Sequence, residues 1–190
     1  MVTRSSQDEI ALQGGGLLLR FLRVDDRYAQ QLLAVDDQKC IELLTSIEGT
    51  PEEVWPASPP LAQIDRPPEC VGVHVALLVG MSGRNHWSLS AKLDERGRRI
   101  EFDVASRMSE PPGRLASTYR LSEGVHVKEG LGQVELTVGE VRCRLEHNGD
   151  GKGQHGRIDT RDGRVVLEPP AITGPFPATV CWQYTLERIE

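Results

Sequence analysis

The chain has 190 residues and a formal net charge of −6 at pH 7, with 22 basic residues against 28 acidic ones. This balance argues against nucleic acid or an anionic membrane as a partner, because their phosphates select basic surfaces. The best apolar run, residues 17–24, contains two arginines. It is far shorter than the roughly 20 residues that a membrane-spanning helix needs. Acidic residues also stand where a signal peptide is basic, so we expect a soluble cytoplasmic protein.

The length suits one domain, because a chain of this size buries roughly 70% of its unfolded surface on folding. We therefore predict a single all-β domain over residues 1–190. The chain has four cysteines, and none of them stands in the C-x-x-C spacing of zinc or redox sites. They are Cys40, Cys70, Cys143 and Cys181. We expect buried free thiols and no cofactor.

In the first third of the chain, residues 27–49 hold two apolar runs on either side of Asp36 and Asp37. This pattern favours a hairpin, although the apolar positions after Cys40 also recur at helical spacing. The next segment, residues 50–69, contains six prolines, too many for a ladder strand. We predict an extended crossover loop there. Its Pro56-x-x-Pro59 spacing beside Trp55 also fits a minimal polyproline recognition pattern.

Residues 80–83 read GMSG, which resembles the start of the G-x-S-x-G turn that exposes a catalytic serine. The motif requires glycine at the next position, and Arg84 stands there instead. A strand pattern follows, whereas the nucleophile turn leads into a helix. We therefore expect Ser82 to lie in a structural bend.

The pattern of residues 86–107 predicts a hairpin. The paired side chains on its two faces test the strand register. A turn at Arg96-Gly97 pairs four apolar positions with four partners, of which only one is polar: Trp87 with Ser106, Leu89 with Val104, Ala91 with Phe102, and Leu93 with Ile100. A slip of one residue would exchange the faces of one strand and destroy this match. The opposite face then carries a polar strip formed by His86, Ser88, Ser90, Asp103 and Arg107. Arg84 lies at the end of this strip.

This polar strip offers donors and acceptors of several kinds, which suits a small polar ligand such as a sugar or an anion. The outer face of an antiparallel sheet is polar in any case, so a purely solvated face explains the same residues. A third interpretation is a hydrolase-like enzyme in which His86 acts as base, Asp103 orients it and Arg107 holds an anion. If the sheet closed into a barrel, the strip could line its cavity.

Two more hairpins follow. A turn at Gly139-Glu140 places Val134 opposite Leu145, and the Asp162-Gly163 dipeptide, a strong type I′ signal, places Ile158 opposite Leu167. The last strand, residues 178–189, alternates apolar and polar residues with the period of two that is typical of a half-buried strand.

The loop between these two hairpins resembles a calcium loop. Asn148, Asp150 and Asp159 occupy its first, third and twelfth positions. Lys152 brings a positive charge to a ligand position, and no helix pattern flanks the loop. We keep the three oxygen-bearing residues as weak metal candidates and interpret the segment as a glycine-rich hairpin loop.

Together these patterns predict an antiparallel β-sandwich of about ten strands, with a closed or partly open barrel as the alternative. We expect a non-enzymatic binding module whose partner is a small polar ligand or a protein, bound at the strip between His86 and Arg107. The alternatives are the enzyme described above and an assembly protein that forms a homodimer through its sheet edges.

Overall fold

The computed structural model describes residues 9–68, 71–151 and 153–189. Within these ranges the chain forms fifteen strands and no helix, and no segment there could cross a membrane as a helix. The strands are β1 Glu9–Gly14, β2 Leu17–Val24, β3 Arg27–Asp36, β4 Lys39–Ser46, β5 Gln63–Asp65, β6 Val73–Ser82, β7 Asn85–Asp94, β8 Arg99–Met108, β9 Ser117–Leu121, β10 His126–Gly130, β11 Gln133–Val138, β12 Val141–Gly149, β13 Arg157–Arg161, β14 Arg164–Glu168 and β15 Ala178–Arg188. The predicted all-β class is confirmed. The count exceeds ten because strands as short as β5 and β10 show too little alternation to be recognised.

The strands form two antiparallel sheets. The seven-stranded sheet has the order β1-β2-β3-β4-β9-β14-β13, and the eight-stranded sheet has the order β10-β11-β12-β15-β8-β7-β6-β5. Neither sheet closes on itself, so the chain is a sandwich and the barrel alternative is wrong. The hydrophobic core lies between the two sheets, because each strand sends every second side chain inward.

All three registers deduced from turn chemistry are confirmed. Trp87 lies opposite Ser106 and Leu93 opposite Ile100. The second hairpin pairs Val134 with Leu145. The third hairpin pairs residues 158 and 167 as expected, and its Asp-Gly turn has the two positive φ angles, 50° and 68°, of a type I′ turn.

The first third of the chain is the favoured hairpin, formed by β3 and β4. Its turn lies one residue later than expected, at Asp37 and Gln38, which both adopt positive φ angles. A bulge between Leu32 and Leu33 shifts the register further along the pair. Cys40 pairs with Val35 beside the turn and is exposed, which corrects the expectation of a buried thiol. Of the other cysteines, Cys143 is buried, Cys181 is half-buried and Cys70 lies outside the described residues.

The proline-rich segment is a packed crossover from β4 to β5. Pro59 and Pro60 are buried, and Leu61 is fully buried in the core. The Ser58 hydroxyl donates to the carbonyl oxygen of Thr118 at 2.9 Å and accepts from the Thr118 amide at 3.1 Å. With Pro56 buried as well, the polyproline pattern faces the protein's own interior.

Gly80 allows this crossover to lie against β6. A Cβ atom at position 80 would stand 1.8 Å from the carbonyl oxygen of Pro60, so only glycine fits there. Two residues later the Ser82 hydroxyl donates to the carbonyl oxygen of Glu53 at 2.6 Å. The crossover loop therefore packs against the GMSG segment, and Ser82 holds that loop in place by its hydrogen bond.

A buried polar chain links the two sheets. The Tyr119 hydroxyl on β9 donates its one proton to the side-chain oxygen of Gln30 at 3.0 Å. It must therefore accept from the Tyr184 hydroxyl on β15, which lies 2.7 Å away. Next to it, the Ser46 hydroxyl accepts a hydrogen bond from the backbone N–H of Gln30 and donates to the Glu48 carboxyl at 2.6 Å. Burial raises the pKa of Glu48 to about 7, against the opposing effects of this hydrogen bond and of Arg27.

Replacing Gly80 by alanine tests the crossover contact. Because the neighbouring atom is a backbone oxygen, it cannot rotate away, and we expect Gly80→Ala to lower the free energy of unfolding by about 3 kcal/mol. The control is Gly130→Ala, where the nearest atoms belong to the flexible Gln133 side chain, and its loss should stay within about 0.5 kcal/mol. Urea denaturation measures both. Equal losses in the two variants would contradict the account.

Replacing Glu48 by glutamine tests the buried carboxyl. The folded-state pKa lies above the ordinary value of 4.5, so the folded state holds the proton more tightly and loses stability as the pH rises through about 7. Glutamine does not ionise, so the variant Glu48→Gln does not lose stability in this way as the pH rises. At pH 8 its free energy of unfolding should exceed that of the natural protein by up to about 3 kcal/mol, a difference that disappears near pH 4.5.

Urea titrations at several pH values measure this difference. The exposed Glu52 supplies the control, since Glu52→Gln should leave the pH dependence unchanged. If Glu48→Gln followed the natural protein at every pH, the carboxyl would not be titrating as the structure requires.

Candidate functional site

The predicted polar strip lies on the outer face of the eight-stranded sheet. The pairing sets His86 against Arg107, Ser88 against Ala105 and Ser90 against Asp103. Burial alternates along β7, so that Trp87 is 2% exposed while the histidine before it and the serine after it are exposed. The strip therefore lies on the exposed face of the sheet, as the sequence predicted. Arg84 lies exposed in the turn that leads into β7.

One hollow on this face has a volume of about 650 Å³. Ser88 and Ala105 are among its lining residues, as are His86 and Arg107. Its other side is apolar, because Val79 and Met81 on β6 are 48% and 57% exposed. The crossover completes the rim with Ala62 and Gln63. We call this the apolar-walled hollow.

A second hollow, of about 370 Å³, adjoins the first and shares His86 and Arg107 with it. Arg84 brings a second guanidinium group to its lining, and no acidic residue lines it. We call Arg84, His86 and Arg107 the basic cluster. Within the described chain, none of the three forms an ion pair or a side-chain hydrogen bond. Their donors are therefore free to bind a ligand that accepts hydrogen bonds.

A third hollow, of about 400 Å³, continues the strip toward the other end of β7. Its lining includes Ser90 and Asp103 together with Asn148, Gln183 and Thr185. The Gln183 amide donates to the Asp103 carboxylate at 3.0 Å, and the Asn148 amide donates to the Thr185 hydroxyl at 2.7 Å. We call this the polar hollow.

His86 and Asp103 do not form a base and acid pair. They lie on adjacent strands four residues out of register, which separates them by about 13 Å along the sheet. They line different hollows, and the Asp103 carboxylate accepts a hydrogen bond from Gln183 instead. The enzyme interpretation of this pair is therefore not supported by the geometry.

The three metal candidates lie apart from one another. Asn148 belongs to the polar hollow, and the Asp150 carboxylate accepts a hydrogen bond from the backbone N–H of Gln154 at 3.0 Å. Asp159 lies on β13 of the other sheet, 3.6 Å from the Arg157 guanidinium. Among the residues that the structure describes, no group of three or more His, Cys, Asp or Glu side chains is arranged to hold a metal ion.

Sequence reasoning missed the residues that neighbouring strands bring to the strip. Val79 and Met81 lie on β6, next to β7, and Gln183 lies on β15, next to β8. The alternation of β15 already marked Gln183 as outward-facing, but only the strand order places it opposite Asp103. Asn148 turns toward the polar hollow beside a bulge between His147 and Gly149. No local sequence pattern predicts this bulge.

Comparison with known proteins shows a fold and no family. No family model matches the chain, and no curated protein matches it. A solved structure of heparinase III with methylated lysines is similar, with a TM-score of 0.51, 7% sequence identity and 98% of this chain covered. The match spans 36% of that longer protein. At this identity the likeness shows that the sandwich fold is shared.

Proposed function

We propose that this chain is a non-enzymatic binding module for a small anionic ligand, held on the outer face of the eight-stranded sheet. The observation that carries the proposal is the basic cluster, whose two arginines and one histidine line two adjoining hollows and have no acidic partner among the described residues. Cationic side chains on a protein surface commonly lie near carboxylates, and several arginines elsewhere in this chain do so: Arg99 with Glu101, Arg142 with Glu135, and Arg144 with Glu187.

The chemistry of the site suits an acidic sugar. The guanidinium of Arg107 can hold a carboxylate through two parallel hydrogen bonds, and His86 adds a further donor from the opposing strand. The short side chains of Ser88 and Ala105 leave room for a ring above the sheet. Val79 and Met81 present apolar surface to the C–H groups of such a ring.

The overall charge of the chain narrows the ligand class. With a formal net charge of −6, the protein repels polyanions at long range, whereas the basic cluster attracts an anion locally. A ligand with one or a few negative charges meets both conditions.

The pairing of two copies through sheet edges stays a prediction.

Titration calorimetry with glucuronate, a sugar with one carboxylate, tests this function. Arg107→Ala removes a charge-assisted pair worth about 1.5–3 kcal/mol, so we expect the affinity for glucuronate to fall by about ten- to a hundredfold. His86→Ala should weaken binding less. Glucose, which lacks the carboxylate, should bind far more weakly than glucuronate.

The matched control is Arg164→Ala. Arg164 is an exposed arginine on β14 of the other sheet and likewise has no ion pair in the described chain, so its removal should leave the affinity unchanged. Far-ultraviolet circular dichroism confirms that each variant is folded. Absence of glucuronate binding, or equal affinity in the natural protein and Arg107→Ala, would overturn the proposal.

A further inference from the structure

The apolar-walled hollow and the polar hollow lie in line along the same two strands. Ser88 lines the first and Ser90, the next outward residue of β7, lines the second. On β8, Ala105 and Asp103 continue from one hollow to the other in the same way. These outward side chains lie in line along the sheet, and we call that line, with a hollow at each end, the trough.

Longer side chains border this trough on both sides. Exposed Leu77 and Val79 on β6 form an apolar wall, and Gln183 and Thr185 on β15 form a polar wall. From His86 to Lys92 the trough follows seven residues of β7, and the six steps between them span about 20 Å at the rise of a strand. It is therefore longer than a single sugar ring.

Charge is distributed unevenly along the trough. The basic cluster lies at one end, whereas the Asp103 carboxylate lies in the polar hollow, about 13 Å further along the sheet. Lys92 and Glu101 also line the polar hollow, but they form an ion pair with each other at 3.1 Å, so that their charges offset. Asp103 accepts a hydrogen bond from Gln183 and has capacity to accept others from ligand hydroxyls. An anionic group is therefore favoured at the first position and disfavoured at the second.

The trough fits a sugar chain better than a peptide. One common way for an extended peptide to bind is to add a strand to a free sheet edge, and the trough lies on a face where β6, β7, β8 and β15 are already paired with one another. A sugar chain presents C–H faces to an apolar wall and hydroxyl groups to a polar one. Both walls are present here.

From this geometry we infer that the ligand is a linear oligosaccharide with one anionic unit, whose acid binds the basic cluster and whose neutral units extend along the trough to the polar hollow. The inference rests on the proposed function, since it uses the same anion site. It adds the ligand's length, its direction and the position of its charge.

Calorimetry with a series of chain lengths tests the inference. The probes are glucuronate and xylo-oligosaccharides that carry one glucuronic acid at the end of one, two, three or four xylose units. We expect the affinity to rise at least tenfold from glucuronate to the longer chains and then to level off. Neutral xylotetraose should bind far more weakly than its glucuronic acid counterpart.

Two variants separate the ends of the trough. Gln183→Ala should weaken the long acidic chain at least threefold and leave glucuronate unchanged, because Gln183 lies in the polar hollow alone. Arg107→Ala should weaken every acidic probe. Asp103→Asn should improve the binding of an oligogalacturonate, which carries a carboxylate on each unit, because it removes the opposing charge.

The outcomes distinguish this inference from the function on which it rests. If glucuronate binding depends on Arg107 but does not strengthen with chain length, the inference is wrong and the proposed function stands. If no acidic probe binds, both are wrong. If a hexapeptide with one terminal aspartate binds more tightly than the long acidic sugar, the partner is a peptide and the inference is overturned.

Discussion

The close approach of two backbone segments at Gly80 and Pro60 is the constraint on which the outer face of the eight-stranded sheet depends. It brings the crossover against β6, where the Ala62 amide donates to the Val79 carbonyl oxygen at 2.9 Å and β5 begins to pair. Ala62 and Gln63 thereby become the rim of the apolar-walled hollow. A side chain at position 80 would push this rim away from His86 and open the site.

The same crossover joins the two layers of the sandwich. Ser58 binds the backbone of Thr118 on β9, and Leu61 fills the core between the sheets. Hydrogen bonds also connect the layers directly, among them the one between the Tyr119 and Tyr184 hydroxyls and the one from the Trp182 indole to the Ser117 hydroxyl at 3.1 Å. Buried polar groups without partners are costly, so these bonds favour one orientation of the sheets.

The parts of the fold that depend on neighbouring residues in sequence could be predicted. Asp162-Gly163 requires its turn, and the alternation from Trp87 to Leu93 requires its register, so the hairpins and the outward face of His86 follow locally. Strand order depends on contacts between distant segments, which no local pattern encodes. For that reason the apolar wall of Val79 and the polar neighbour Gln183 emerged only with the structure, and so did the role of Gly80.

The most direct test of the central claim is a map of where an anion binds. Two-dimensional NMR of the labelled protein during titration with glucuronate reports the site residue by residue. The account predicts that the largest saturable shift changes occur at Arg84, His86, Ser88 and Arg107, on one face of the eight-stranded sheet. Shift changes centred on the seven-stranded sheet, or none that saturate, would contradict it.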